Sequence, residues 1–130
     1  MVNLKAKPFY LDDEAIKWVE ETRNSMTDEE KAEQIMCPLM FSDDKEVLKG
    51  IIASHNFGSV MFRTGVAAKV QENLNAMQEV SKIPLLIAAN LEDGGTGVAF
   101  EGTSFGRQML VAATDKDENG YRLGKICGRE

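Results

Sequence analysis

Asn90 and Glu92 stand two residues apart at the end of the apolar run Ile83-Pro84-Leu85-Leu86-Ile87-Ala88-Ala89, and Asp93 and the pair Gly94-Gly95 follow them. On a continuing strand that spacing turns both side chains to one side, with Leu91 opposite. An amide that donates and accepts, beside a carboxylate that accepts, can hold a polar ligand by hydrogen bonds without breaking any bond in it. The glycines free the backbone to turn at once. The same residues would serve equally as caps of a turn. Arg63, which closes a second short run at Ser59-Val60-Met61-Phe62-Arg63, is the third candidate binding residue.

Other reactive residues carry less. Asp93 follows Glu92 directly, and neighbours along a strand point to opposite faces, so the two are not read as an acid/base pair. His55 falls where a helix ends, which suits a helix-dipole or surface role. Cys37 and Cys127, the only cysteines, have no metal-ligand neighbours and are expected to be reduced, mostly buried thiols, which favours a reducing cytoplasm. No metal or cofactor is expected. The glycine-rich stretch lacks the Gly-Lys-Ser/Thr of a phosphate loop and is not a dinucleotide fingerprint. A net charge of -6 and a pI near 4.9 argue against a nucleic-acid partner, which would need clustered Lys and Arg. The opening Met1-Val2-Asn3-Leu4-Lys5-Ala6-Lys7-Pro8 lacks the apolar core of a leader, and no run approaches the ~20 apolar residues that span a bilayer.

The elements that must position Arg63, Asn90 and Glu92 follow from periodicity. The run from Ile83 to Ala89, with Pro84 only near its start, predicts a parallel strand covered on both faces. A first helix is expected from about Asp12 to Arg23, with Leu11, Ala15, Ile16, Trp18, Val19 and Thr22 on one face. Thr27-Asp28-Glu29-Glu30 matches a capping box and predicts a second helix from Asp28, turning Ala32, Ile35 and Met36 inward. Met36 to Phe41 could form a first strand, weakened by Pro38. Val47, Leu48, Ile51 and Ile52 form the apolar stripe of a helix opened by Ser42-Asp43-Asp44. Ser59 to Arg63 predicts a strand. Val66, Val70, Leu74, Met77 and Val80 mark another helix, whose methionine packs. Strands alternating with helices indicate an α/β fold of parallel units. Residues 96–103 are too rich in glycine for regular structure, and a long loop after a strand is usually functional. A helical turn or two is expected within Ser104 to Ala113, and a last helix from Thr114 through Cys127. The sequence stops within that helical pattern, which predicts a piece of a larger unit.

With these segments in view, the chain resembles the N-terminal catalytic-barrel domain of glycoside hydrolase family 3, the β-glucosidase and β-N-acetylhexosaminidase family. Met26 to Ile35 is similar to its opening "T-x-x-E-K-x-x-Q", Phe57 to Arg63 to its second strand "G-G-V-I-L-F", and Ile83 to Gly95 to its third strand "I-P-L-L-I-A-x-D-x-E-G-G". Gly102 to Thr114 and Leu123 to Glu130 look like the following loop and helix. The resemblance implies that 1–130 are the first part, about three βα units, of a TIM-type (β/α)8 barrel. It also implies a carbohydrate substrate gripped at Asn90, where the family pattern has Asp, with Asp93 inserted before the glycines. The family's nucleophile and acid/base group would lie beyond Glu130, so no catalytic residue is assigned here. Two other functions remain open: a small α/β module that binds a ligand without catalysis, and an assembly fragment that self-associates through an open sheet edge.

Overall fold

The computed structural model describes residues 2–130. Its core forms where two amphipathic helices cover one strand. Helix α3 (Lys45–Ala53) is started by Asp44, whose carboxylate accepts from the Glu46 and Val47 amides, and it buries Leu48 and Ile52. Helix α4 (Ala67–Val80) buries Val70, Asn73, Ala76 and Met77. Strand β2 (Ser59–Phe62) alternates, sending Val60 and Phe62 into the space between the helices and the sheet. Leu48, Val60 and Met77 have no exposed surface.

The other strands are short. Strand β1 (Leu39–Met40) pairs in parallel with β2, Leu39 opposite Met61, and β2 pairs in parallel with β3 (Leu86–Ala88), Ser59 opposite Leu86. The sheet order is β1-β2-β3. The alternation of strand and helix expected from the sequence is thus present as a small parallel sheet. Strand β1 is shorter than the stretch from Met36 to Phe41, because Pro38 has no amide to donate and its carbonyl already accepts from Met61 N–H at 2.9 Å.

Three expectations are corrected. Strand β3 is not covered on both faces: Leu85 is buried, but Leu86 is 74% exposed and Ile87 is exposed too, since β3 is an edge. None of Ala32, Ile35 and Met36 turns inward: Ala32 is exposed on the helix, and Ile35 is 88% exposed. Helix α2 (Asp28–Glu33) ends before Ile35 and Met36, because Glu33 and Gln34 are held by the backbone of Asn56: Asn56 N–H donates to the Glu33 carboxylate and the Gln34 amide donates to Asn56 C=O, both at 2.6 Å. Gly58 packs so closely on the Gln34 carbonyl that a Cβ there would collide. The cysteines are free, but Cys37 is exposed and Cys127 half-buried rather than both buried.

The remaining helices agree with the periodicity in place if not in extent. Helix α1 (Asp13–Ser25) is capped by Asp12 and buries no residue fully. The capping box of α2 is formed in both directions, Glu30 N–H to Thr27 Oγ1 and Thr27 N–H to Glu30 Oε2. Two more helices, α5 (Gln108–Ala112) and α6 (Asp117–Cys127), close the chain. His55 takes a surface role, bonded through Nδ1 to Glu33 at 2.8 Å and stacked on Phe57. Among the described residues no helix is long and apolar enough to cross a membrane.

Leu48→Ala is expected to cost about 3 kcal/mol, from lost transfer energy and the cavity left behind. Ile51→Ala, on the same helix but 37% exposed, should cost about 1 kcal/mol or less. Urea midpoints of the two variants check the difference, and equal losses would remove Leu48 from the centre of the core.

Candidate functional site

A cavity of 510 Å³ opens at the carboxyl ends of β2 and β3, where parallel α/β sheets place their ligands. The segment just after β2 contributes Arg63 and Thr64, and the segment after β3 contributes Asn90, Glu92 and Asp93. All three binding residues expected from the sequence, Arg63, Asn90 and Glu92, therefore meet in one cavity. Strand β3 ends at Ala88, so Asn90 and Glu92 reach it from a turn and not from a continuing strand. For the same reason Asp93 lines the cavity as well, and the expectation that it points away from Glu92 is corrected. The alternation that would separate neighbours holds only while the backbone stays extended.

The backbone of this turn is fixed by close approach. Gly94 adopts φ +108°, a conformation open to glycine, and a Cβ on it would meet the Thr103 carbonyl. A Cβ on Gly97 would overlap the carbonyl of Asn90. Between them Gly95–Gly97 forms a 3₁₀ turn. The loop lies against the end of β2: Thr64 Oγ1 donates to Gly97 C=O at 2.8 Å and Phe100 N–H donates to Gly65 C=O at 2.8 Å. Glu101 then accepts from Ala67 N–H at 2.9 Å, serving as an acidic cap for α4, whose own first residue offers none.

Glu130, just beyond α6, latches the far side. Its carboxylate accepts from Thr103 N–H at 2.9 Å and from the Thr103 hydroxyl at 2.5 Å, and it packs where a side chain on Gly95 would stand. The Thr103 hydroxyl first, then its amide, hold the Glu130 carboxyl below the ordinary carboxylate range.

Charge inside the cavity is balanced. Arg63 lines the cavity and lies over the Phe41 ring, 5.4 Å from its centroid, a cation–π contact. Arg107, at the start of α5, reaches toward Asp93. Arg107 and Gln108 line the cavity, though no spacing in the sequence points to them. They arrive from an element fifteen or so residues downstream, brought back only by the glycine-rich loop; the density of glycines was the one signal of that return. Among the described residues no group of three or more His, Cys, Asp or Glu side chains is arranged to hold a metal.

No family model matches the chain. Over its whole length it is 37% identical to the β-N-acetylglucosaminidase/β-glucosidase of Cellulomonas fimi, and it spans 23% of that protein. Its structure is similar to that of the β-glucoside phosphorylase BglX bound to 2FGlc, with a TM-score of 0.81 and 37% identity, covering 95% of this chain and 23% of the other. A second structure of the β-glucoside phosphorylase BglX gives a TM-score of 0.77 at 38% identity, over 95% of this chain and 22% of that one. These relatives bear out the resemblance to glycoside hydrolase family 3, and this chain corresponds to less than a quarter of each.

The Glu130 latch carries a pH signature. Because the folded state lowers this carboxyl, its contribution is present above the unfolded value and fades as pH falls through the folded one. The Thr103 amide is expected to be protected from hydrogen exchange near neutral pH and to lose protection only as pH falls below the ordinary glutamate value. In Glu130→Gln that pH dependence should vanish, and its persistence would show that another group holds the loop.

Proposed function

We propose that this chain is the opening part of a (β/α)8 catalytic barrel and supplies one wall of the sugar site in a protein that cleaves β-linked glucosides or N-acetylhexosaminides by hydrolysis. The observation that carries the proposal is the convergence of Arg63, Asn90 and Glu92 in one cavity at the carboxyl ends of parallel strands. The names of the relatives, β-N-acetylglucosaminidase/β-glucosidase and β-glucoside phosphorylase, supply the substrate class. The barrel is supported by the parallel strand order, by helices packed on one side of the sheet, and by apolar side chains left open at Leu39, Leu86 and Ile87. In that frame 1–130 form the start of the catalytic domain. A reducing cytoplasmic setting belongs to the same proposal, supported by two free thiols, one of them exposed.

The chemistry of this wall is grip. The Asn90 amide offers both a donor and an acceptor to a ring hydroxyl, the Glu92 carboxylate accepts, and the Arg63 guanidinium donates. Retaining glycosidases need a nucleophile and an acid/base group, which in the usual carboxylate-pair design are two carboxyl groups about 5 Å apart, the acid/base one in apolar enclosure. Glu92 is exposed and Asp93 stands beside a guanidinium, so neither has that enclosure. We assign the nucleophile and the acid/base group to residues outside this chain. Without the rest of the barrel, the exposed edge at β3 would favour self-association.

A second outcome for the bond-breaking step is phosphorolysis, in which phosphate replaces water as acceptor. Two structures of a β-glucoside phosphorylase favour it, and a guanidinium such as Arg107 is suited to a phosphate oxyanion.

The 130-residue chain alone is expected to release no nitrophenol from nitrophenyl β-glucoside or nitrophenyl N-acetyl-β-glucosaminide; turnover proportional to its concentration would place the nucleophile within it. The full-length polypeptide should release the free sugar in phosphate-free buffer. If it releases only the sugar 1-phosphate, and only when phosphate is added, phosphorolysis replaces hydrolysis.

A further inference from the structure

Asp93 is the most tightly placed carboxylate in the cavity. Its carbonyl accepts from Phe105 N–H at 2.8 Å, and the following Gly94 N–H donates to Leu91 C=O at 3.1 Å. Gly94 also forms an antiparallel bridge with Ser104. With one rotatable bond fewer than Glu92 and its backbone fixed on both sides, Asp93 presents its carboxylate at low entropic cost to binding.

Among the described residues no side chain or backbone amide donates a hydrogen bond to that carboxylate. The side chain is 45% exposed, yet Oδ1 is sealed from solvent and has no hydrogen-bond partner. Asp93 lines the cavity, and Oδ2 is the oxygen not sealed in this way. Arg107 Nε stands 3.9 Å from Oδ1, too far for a hydrogen bond, on a side chain that is 86% exposed and free to move. A sealed, charged oxygen without a donor is unfavourable, so an inward shift of Arg107 of about 1 Å gains a charge-assisted bond.

We propose that Asp93 and Arg107 form a clamp that closes on the sugar, with Asp93 Oδ2 accepting from a ring hydroxyl and Arg107 closing on Oδ1. The clamp rests on the sugar-site proposal above and names a residue pair that it does not use. A carboxylate accepts and does not donate, so this position selects a group with an O–H and rejects one that only accepts. A charged acceptor binds a hydroxyl about twice as strongly as a neutral one, which makes Asp93 the stronger partner beside Asn90. Bound sugar excludes water from between Asp93 and Arg107 and strengthens their attraction as the clamp closes.

The test pairs Asp93→Asn with a panel of monodeoxy methyl β-glucosides, titrated calorimetrically into the full-length polypeptide. Asp93→Asn should weaken methyl β-glucoside binding about tenfold, and one deoxy position should show no such loss, because its hydroxyl is the one Asp93 holds. Arg107→Gln should weaken the parent glucoside by several fold and leave that same deoxy ligand unaffected, and its melting temperature reports whether the fold is kept. An equal loss across all ligands would assign Asp93 a merely structural role, and unchanged affinity would overturn the clamp while leaving the sugar site standing. If the unmutated protein binds none of these glucosides, the sugar-site proposal falls and the clamp with it.

Discussion

The structure depends on one packing constraint: a single strand, β2, is covered by two helices on one face. Leu48 from α3, Met77 from α4 and Val60 from β2 meet with no exposed surface. Fully burying side chains of this size contributes about 1.5–3 kcal/mol each, and both helices are oriented by that contact. Because α3 precedes β2 and α4 follows it, their shared packing sets the direction in which β1 and β3 run beside it. The parallel sheet follows, and with it a common carboxyl end at which Arg63 and Asn90 are neighbours although they stand far apart in sequence.

At that end the fold replaces apolar burial with backbone proximity. The loop from Gly94 to Gly102 packs main chain against main chain at positions where a Cβ would collide. Its polar groups are met by side chains from distant elements: Thr64 from the end of β2, Glu101 on the start of α4, and Glu130 after α6. The turn carrying Asn90, Glu92 and Asp93 is therefore rigid without being buried. Rigidity of that kind suits hydroxyl recognition, since the hydrogen bonds cost little ordering when they form.

Periodicity was informative wherever an element had one apolar face. The stripe from Val47 to Ile52 and that from Val66 to Val80 located α3 and α4, and the capping box located the start of α2, because these signals are local. The sites of correction share a cause. Ile35, Met36, Leu86 and Ile87 are apolar, but apolarity states a demand for burial and not whether a neighbour is present to meet it. An edge strand leaves β3 open, and the hold of Glu33 and Gln34 on Asn56 ends α2 before its last apolar pair can turn inward.

The sequence by itself determined the order of helices and strands, the placing of Asn90 and Glu92 after the last strand, and that of Arg63 at the end of the strand before it. Each is encoded within a few residues by spacing, capping or turn chemistry. Only the tertiary structure decided that Asp93 enters the same cavity, that Arg107 returns to face it, and that Glu130 latches the loop. Those placements arise from contacts between segments remote in the chain, across glycines that permit many paths; the path is selected by packing and by carboxylates that no local pattern pairs.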